Sequence, residues 1–430
     1  MRIPLLYDKT TIEINVPDDA TVLRTTYPPP SATAAELVLQ ACKRPIAGPT
    51  LSEALSRRRK GEVVIVVSDV TRPIPYSSFL PQLLNRLHEE GASKEEICLL
   101  IATGMHRPST SEERSAMFGE DIAGNYRILD HDASADDLVQ LPAKSRSGAS
   151  IRLNRRFVQA GFRLITGLVE PHYMAGFSGG RKAVCPGLAS LETLQRFHGY
   201  AMLADPHSTA ARLDDNPCHL EALSVAQAAG VDFSINVVLN EARRVVAAFA
   251  GELDAAHRQA CRFVEAHAAP KVKEHDVVVT CSAGYPLDTT FYQCTKSFVC
   301  ALPAVKPQGV VLTVGGCREG IGSREYQEIL FRYADDWRQF LSDIAATDRV
   351  IKDQWQHQMH TRALAKIGRE NILFFTDALP QEVLEKLSVN GRAVTSVAAA
   401  LQAEIDRLAA EKRSFCVIPE GPYCTPVPAA

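Results

Sequence analysis

Residues 62–73 read EVVIVVSDVTRP. Five β-branched residues in a row, Val63–Val67, give way to Ser68 and Asp69 and then to a polar loop carrying Arg72 and Pro73. A strand with one wet face would alternate apolar and polar residues. An unbroken apolar run of this length predicts a strand buried on both faces, as in a parallel sheet. The pattern recurs in EICLLIATG (96–104) and RLITGLVE (163–170), each running into a loop rich in functional side chains. Between the first two, SSFLPQLLNRLHEEG (77–91) has helical spacing and ends in Gly, as does STSEERSAMFG (109–119) after the second. Strand, loop, helix, strand predicts an α/β fold with mainly parallel sheets, in which ligands collect at the carboxyl ends of the strands.

Further along, AHRQACRFVEAHAAPKVKEHD (256–276) predicts a helix followed by a polar stretch with a proline. The strand pattern then restarts in DVVVTCSAG, GVVLTVGGCREG, NILFFTDAL and SFCVIPEG. The break near residues 269–273 predicts two α/β domains, 1–270 and 271–430.

Composition excludes several functions. The chain has 430 residues, 46% apolar and 23% charged, with 47 basic against 50 acidic side chains and a net charge of −3. Nucleic-acid and anionic-membrane partners select for basic surfaces, so neither is expected. The basic run Arg57–Lys60 closes a helical stretch, where positive charge offsets the helix dipole. No apolar run reaches the ~18–20 residues of a membrane span. The opening MRIPLLYDKTTIEINV alternates like a strand and lacks the core of a signal peptide. None of the eleven cysteines forms a C-x-x-C pair, and Cys98, Cys281 and Cys416 sit in apolar strand contexts. Reduced thiols and a cytoplasmic location are expected.

Chemistry concentrates in three loops. Ser68–Pro73 follows the first strand, Ala102–Pro108 the second, and Glu170–Tyr173 the third, leading into GFSGGRKAVCPG (176–187). If these strands are neighbours, Asp69, Arg72, His106, His172 and Lys182 share one cleft. Consecutive N–H groups of Ser178, Gly179 and Gly180 at a helix start can cradle an anion. Lys182 is followed by Ala183, so this is no nucleotide-triphosphate loop. No G-x-G-x-x-G follows a strand in register, which gives no support to a dissociable dinucleotide. His198, beside the apolar face of LETLQRFHGY, is a candidate metal ligand.

Taken together, SD-x-TRP (68–73), ATG-x-HRP (102–108), PHY-x-AGFSGGRKAVCPG (171–187), His198, PLDTTFYQCTK (286–296), Trp355 in DQWQHQ and the terminal VIPEGPYCTP resemble the nickel-dependent lactate racemase family across essentially the whole chain. The resemblance implies two α/β domains with the active-site cleft between them. It implies a nickel-pincer nucleotide, the nickel complex of pyridinium-3-thioamide-5-thiocarboxylic acid mononucleotide, attached covalently at Lys182 with His198 on the nickel. It implies His106 and His172 as the acid/base pair, and Arg72, Tyr292, Gln293, Lys296 and Trp355 as substrate-binding residues. Asp69, Thr103, Gly104 and Ser178–Gly180 are then expected around the cofactor. Arg181 is a candidate for the nucleotide phosphate or a surface charge, and Cys185 is expected to pack. The Gly-bearing loop Cys317–Ser323 either completes the cleft's far wall or is an ordinary strand–helix turn. Partners reduce to a small 2-hydroxy acid and the enzymes that build the cofactor.

These residues suit that chemistry. Proton abstraction beside a carboxylate leaves a poorly stabilised carbanion, whereas loss of hydride and the hydroxyl proton gives a planar 2-keto acid that can be reduced on either face. Such an isomerase needs a hydride acceptor that no side chain provides, a base for each substrate orientation, and cations to fix the carboxylate. The Tyr292-Gln293-x-x-Lys296 pattern favours a short, lactate-like substrate. The alternatives are a larger hydroxy acid (malate, aromatic or sugar acid) or a zinc hydrolase built on His106, His172, His198 and Asp69.

Overall fold

A computed structural model describes residues 1–347 and 349–429. Its backbone is two six-stranded sheets covered by helices. In the first sheet the strands lie in the order Val245–Gly251, Phe233–Leu239, Phe162–Leu168, Val63–Ser68, Ile97–Ala102 and Arg127–Asp130. All neighbours are parallel except the Val245–Gly251 edge strand. The second sheet runs Asn390–Ala393, Ile372–Thr376, Val305–Val314, His275–Cys281, Phe415–Ile418 and Thr21–Val22, parallel throughout.

The uninterrupted valine run behaves as its composition demands. Val63 to Val67 are each 0% exposed. Val64 and Val66 enter one hydrophobic cluster while Val63, Ile65 and Val67 enter another on the opposite face. Ile97–Ile101 divides between the same two clusters. The inward cluster also holds Val278, Phe291, Trp355 and Met359 of the second sheet and its helices, so one apolar core joins both lobes. Among the described residues no helix is long and apolar enough to cross a membrane. All eleven cysteines are free and buried.

The expected division at residue 270 does not describe the start of the chain. The hairpin Arg2–Tyr7 and Thr10–Asn15 packs on the second sheet through Ile3, Leu5 and Ile14, and Thr21–Val22 pairs with Phe415–Ile418. The first twenty-odd residues therefore belong to the second lobe. An alternating strand shows its buried face in the sequence but not which sheet will bury it.

The sheet's connectivity positions the site. From Val63–Ser68 the chain moves outward one way to Ile97–Ala102 and Arg127–Asp130, while Phe162–Leu168 begins the series on the other side. The crevice at this switch point is flanked by the loops after Ser68 and after Leu168.

Candidate active site

Asp69 follows directly on the buried valine strand and is 6% exposed. One carboxylate oxygen accepts the Thr71 hydroxyl at 2.6 Å; the other accepts His106 Nδ1 at 2.5 Å. Burial pushes the Asp69 carboxyl up, but the bonds from His106 and Thr71 and the charge of Arg72 outweigh it and hold the group below its ordinary range. An ionised carboxylate only accepts, so Nδ1 of His106 carries a proton; in the neutral ring Nε2 then holds the lone pair.

On the other side of the switch point, Pro171–His172 pairs antiparallel with Gly176–Phe177. This tight return brings His172 against the short 3₁₀ turn Gly180–Ala183, where Lys182 Nζ lies 2.9 Å from His172 Nε2. His172 Nδ1 accepts the backbone N–H groups of Met174 (3.4 Å) and Ala175 (3.3 Å). Burial drives His172 well below its usual range, and Lys182, Lys296, Arg72 and Arg181 add to the shift. Lys182 is likewise lowered well below a normal amine, by burial first and then by Arg181 and Arg72.

The second lobe supplies the opposite wall. Thr290 caps the helix Phe291–Cys300 by accepting Gln293 N–H, and Lys296 Nζ donates to Gln293 Oε1 on the same helix. Arg72, Glu170, His172, Tyr173 and Lys296 line a single cavity. Burial, followed by the charge of Arg72, pushes the Lys296 amine down to about 8. Among the described residues none of Arg72, Lys182 and Lys296 has a carboxylate within ion-pair distance. Positive charge thus gathers in the pocket, faced by the acid Glu170 without a direct ion pair.

A polar chain links this cavity to His198. The Tyr173 hydroxyl donates to Gln356 Oε1, Gln356 Nε2 donates to the Tyr292 carbonyl at 2.6 Å, and Trp355 Nε1 donates to the Tyr292 hydroxyl at 3.0 Å. The Trp355 indole stacks on His198 with centroids 4.3 Å apart and planes 28° from parallel. His198 caps the helix Leu191–Phe197, and its Nδ1 donates to the Leu194 carbonyl at 3.1 Å. Nε2 is left with a free lone pair, and burial pushes the imidazole down to about 3, so it stays neutral. A carbonyl that fixes the tautomer and a neutral imidazole with an open nitrogen are what a metal ligand requires.

Several expectations need correction. Asp69 spends both oxygens on Thr71 and His106, so it orients an imidazole rather than meeting a cofactor. The Thr103 hydroxyl is used by the His131 carbonyl, and the Gly104 N–H by Gly187. No anion cradle forms at Ser178–Gly180. Ser178 N–H donates to the Glu170 carbonyl and Gly180 N–H to Asn236 Oδ1 at 2.9 Å. The glycines serve internal packing. With φ of +74° and +50°, Gly179 and Gly180 would place a Cβ 2.7 Å from Val169 and 2.6 Å from His257. Arg181 is neither a surface charge nor a cavity group; it is 1% exposed and donates to the Ala175 and Gly179 carbonyls. Cys185 packs at 0% exposure. His198 closes the helix Leu191–Phe197 beside the apolar cluster, buried against Phe197 and Trp355. His106 stands next to the cavity, through Asp69, without lining it; Tyr292, Gln293 and Trp355 reach it only through Lys296, Tyr173 and Gln356. Glu170 was not expected. Its place immediately before Pro171-His172 at a strand's carboxyl end is the signal that marks it. Among the described residues no three His, Cys, Asp or Glu side chains converge as a metal site, which leaves the zinc-hydrolase alternative without its ligands.

Comparison with known proteins agrees with this geometry. Residues 7–211 match the lactate racemase N-terminal domain and residues 270–423 the lactate racemase C-terminal domain. The chain is 31% identical over 392 residues to a lactate racemase of Thermoanaerobacterium thermosaccharolyticum, covering 90% of each. It is 33% identical over 393 residues to the lactate racemase of Lactiplantibacillus plantarum, covering 90% of this chain and 91% of that one. The solved lactate racemase apoprotein of T. thermosaccharolyticum superposes with a TM-score of 0.90 at 29% identity over the full length of both. A Thermotoga maritima protein shares the fold, with a TM-score of 0.65 at 17% identity, covering 93% of this chain and all of that one. With both of its domains matched in order, the chain belongs to the lactate racemase family of isomerases.

Proposed function

We propose that this enzyme racemises a short 2-hydroxy acid, lactate or a close analogue, using a nickel-pincer nucleotide anchored at Lys182 and ligated by His198. The observation that carries the reading is the single cavity that brings the unpaired cations Arg72 and Lys296 together with His172, next to the Asp69–His106 pair. Arg72 and Lys296 would hold the substrate carboxylate by charge-assisted hydrogen bonds, leaving the α-carbon fixed between the lobes. His106, with its proton held on Nδ1 by Asp69, takes the hydroxyl proton through Nε2. His172 faces the opposite substrate orientation with Nε2–H as a proton donor. The residues present fit the group. His198 has one open nitrogen and, among the described residues, no cluster of protein co-ligands, as suits a metal that brings its other donors with it, and Lys182 presents a buried amine whose hydrogen-bond partner is His172. When bound, the nucleotide supplies the hydride acceptor that side chains lack.

Production together with the cofactor-building enzymes tests this. Intact mass should show Lys182 modified, and enantiopure lactate should lose its optical rotation. An active enzyme with an unmodified Lys182, or one that turns over only large hydroxy acids, would contradict the reading.

A further inference from the structure

We propose that the chain prepares its own lysine for acylation: His172 donates Nε2–H to Lys182 Nζ and so holds that side chain as a nucleophilic amine until a carbonyl electrophile arrives. The proposal rests on the reading of Lys182 as the anchoring residue and adds how the anchor is made reactive.

The hydrogen-bond geometry at one ring carries it. Nδ1 of His172 receives two backbone N–H groups, from Met174 and Ala175, so that nitrogen carries the lone pair. The ring proton of the neutral imidazole is then on Nε2. Lys182 Nζ, 2.9 Å away, must accept it, and only an uncharged amine has a lone pair to do so. The reverse arrangement, an ammonium donating to Nε2, would set a third N–H at Nδ1 against the two already there. The surroundings favour the same state. Burial acts most strongly on the amine, and the cations Arg181, Arg72 and Lys296 add to it. Cys218, on the helix Pro217–Ala229, is a thiol raised by burial and stays neutral. His257 and Cys261, on the helix Leu253–Ala268, are kept neutral by burial and face Arg181. The one acid in the cavity, Glu170, is raised by its own burial, which outweighs the opposing charges of Arg72, Lys296 and Lys182.

In the acylation itself, the Nζ lone pair forms a bond to the carbonyl carbon, the leaving group departs with its electron pair, and the surplus amine proton passes to solvent. The amide-type nitrogen that results no longer accepts a hydrogen bond, because its lone pair is delocalised. His172 Nε2–H is thereby freed from the amine.

The test uses unloaded protein and trace acetic anhydride, which acylates only neutral amines, with each lysine peptide counted by mass spectrometry across pH. Midpoints are compared rather than rates, so restricted access does not mimic the result. An ordinary lysine at pH 7 labels at about 1 part in 2,500 of its own plateau, given a pKa near 10.4. Lys182 should exceed that fraction at least tenfold. His172→Ala should move its midpoint back toward the exposed lysines, and His172→Gln, which returns an N–H donor, should restore it. A wild-type midpoint among the exposed lysines, or one unmoved by His172→Ala, overturns the proposal. A reactive Lys182 that is never modified in active enzyme would instead sink only the attachment reading.

Discussion

His106 and His172 follow the two strands that flank Val63–Ser68, Ile97–Ala102 and Phe162–Leu168, yet their surroundings are opposites. His106 is more than half exposed and leans on a carboxylate. His172 is set among cations, with backbone N–H groups on one nitrogen and an amine on the other. The first arrangement leaves Nε2 bare; the second leaves it protonated. If both imidazoles serve the proposed racemisation, the two halves of the site differ in their resting hydrogen bonds.

The largest expected effect comes from removing either imidazole. In cofactor-loaded enzyme, His106→Ala and His172→Ala should each lower kcat by about 10²–10⁴-fold, the usual worth of a positioned acid–base group. If only one does so, the enzyme does not use the pair symmetrically. Next comes acid. His172 shares its burial with His131, His198, His219, His257, His357 and His360, all lowered by it. Unfolding frees these rings to take up protons near pH 6.5, which the folded chain refuses. Their stabilisation is therefore present above about pH 6.5 and fades as pH falls below it. Urea midpoints should drop by the equivalent of several kcal/mol between pH 7 and 5; a flat profile would mean the rings protonate in place.

Asp69→Asn touches only the exposed half. Loss of one charge-assisted bond, about 1.5–3 kcal/mol, should cut kcat by roughly 10–100-fold, while acetic anhydride labelling of Lys182 stays as it was. In the proposed mechanism Lys296 holds the carboxylate in both substrate orientations. Because its amine titrates at about 8, KM for either enantiomer should rise together above that pH, and Lys296→Met should abolish the rise. The smallest effect is at the far wall. Trp355→Phe keeps a ring on His198 but loses the bond to Tyr292, about 1 kcal/mol, so KM should grow by roughly fivefold with the metal retained.

Much of this was readable beforehand. Val63–Val67 declared a two-sided burial, and the loops it and its partners feed were correctly located because a strand end is a local property. What stayed hidden depended on distant neighbours. Ser178–Gly180 reads as an open nest until Asn236 and Glu170 claim its N–H groups. Arg181 reads as a free charge until His257 folds over it. Trp355 has no local pattern linking it to His198, 157 positions earlier in the sequence, and only the packing of the helix Gln354–Ile367 against the first lobe makes them neighbours.

Because the polypeptide starts in one lobe, builds the other and then returns, the crevice is spanned by two peptide links, after Val22 and again around Pro270. Two attachment points define a line. Leu23 and Val272, beside the two crossings, both enter the apolar core that joins the lobes, so sliding of one wall past the other is resisted. A cut at residue 270 would accordingly not yield two self-sufficient pieces, since the downstream fragment would leave its edge strand behind.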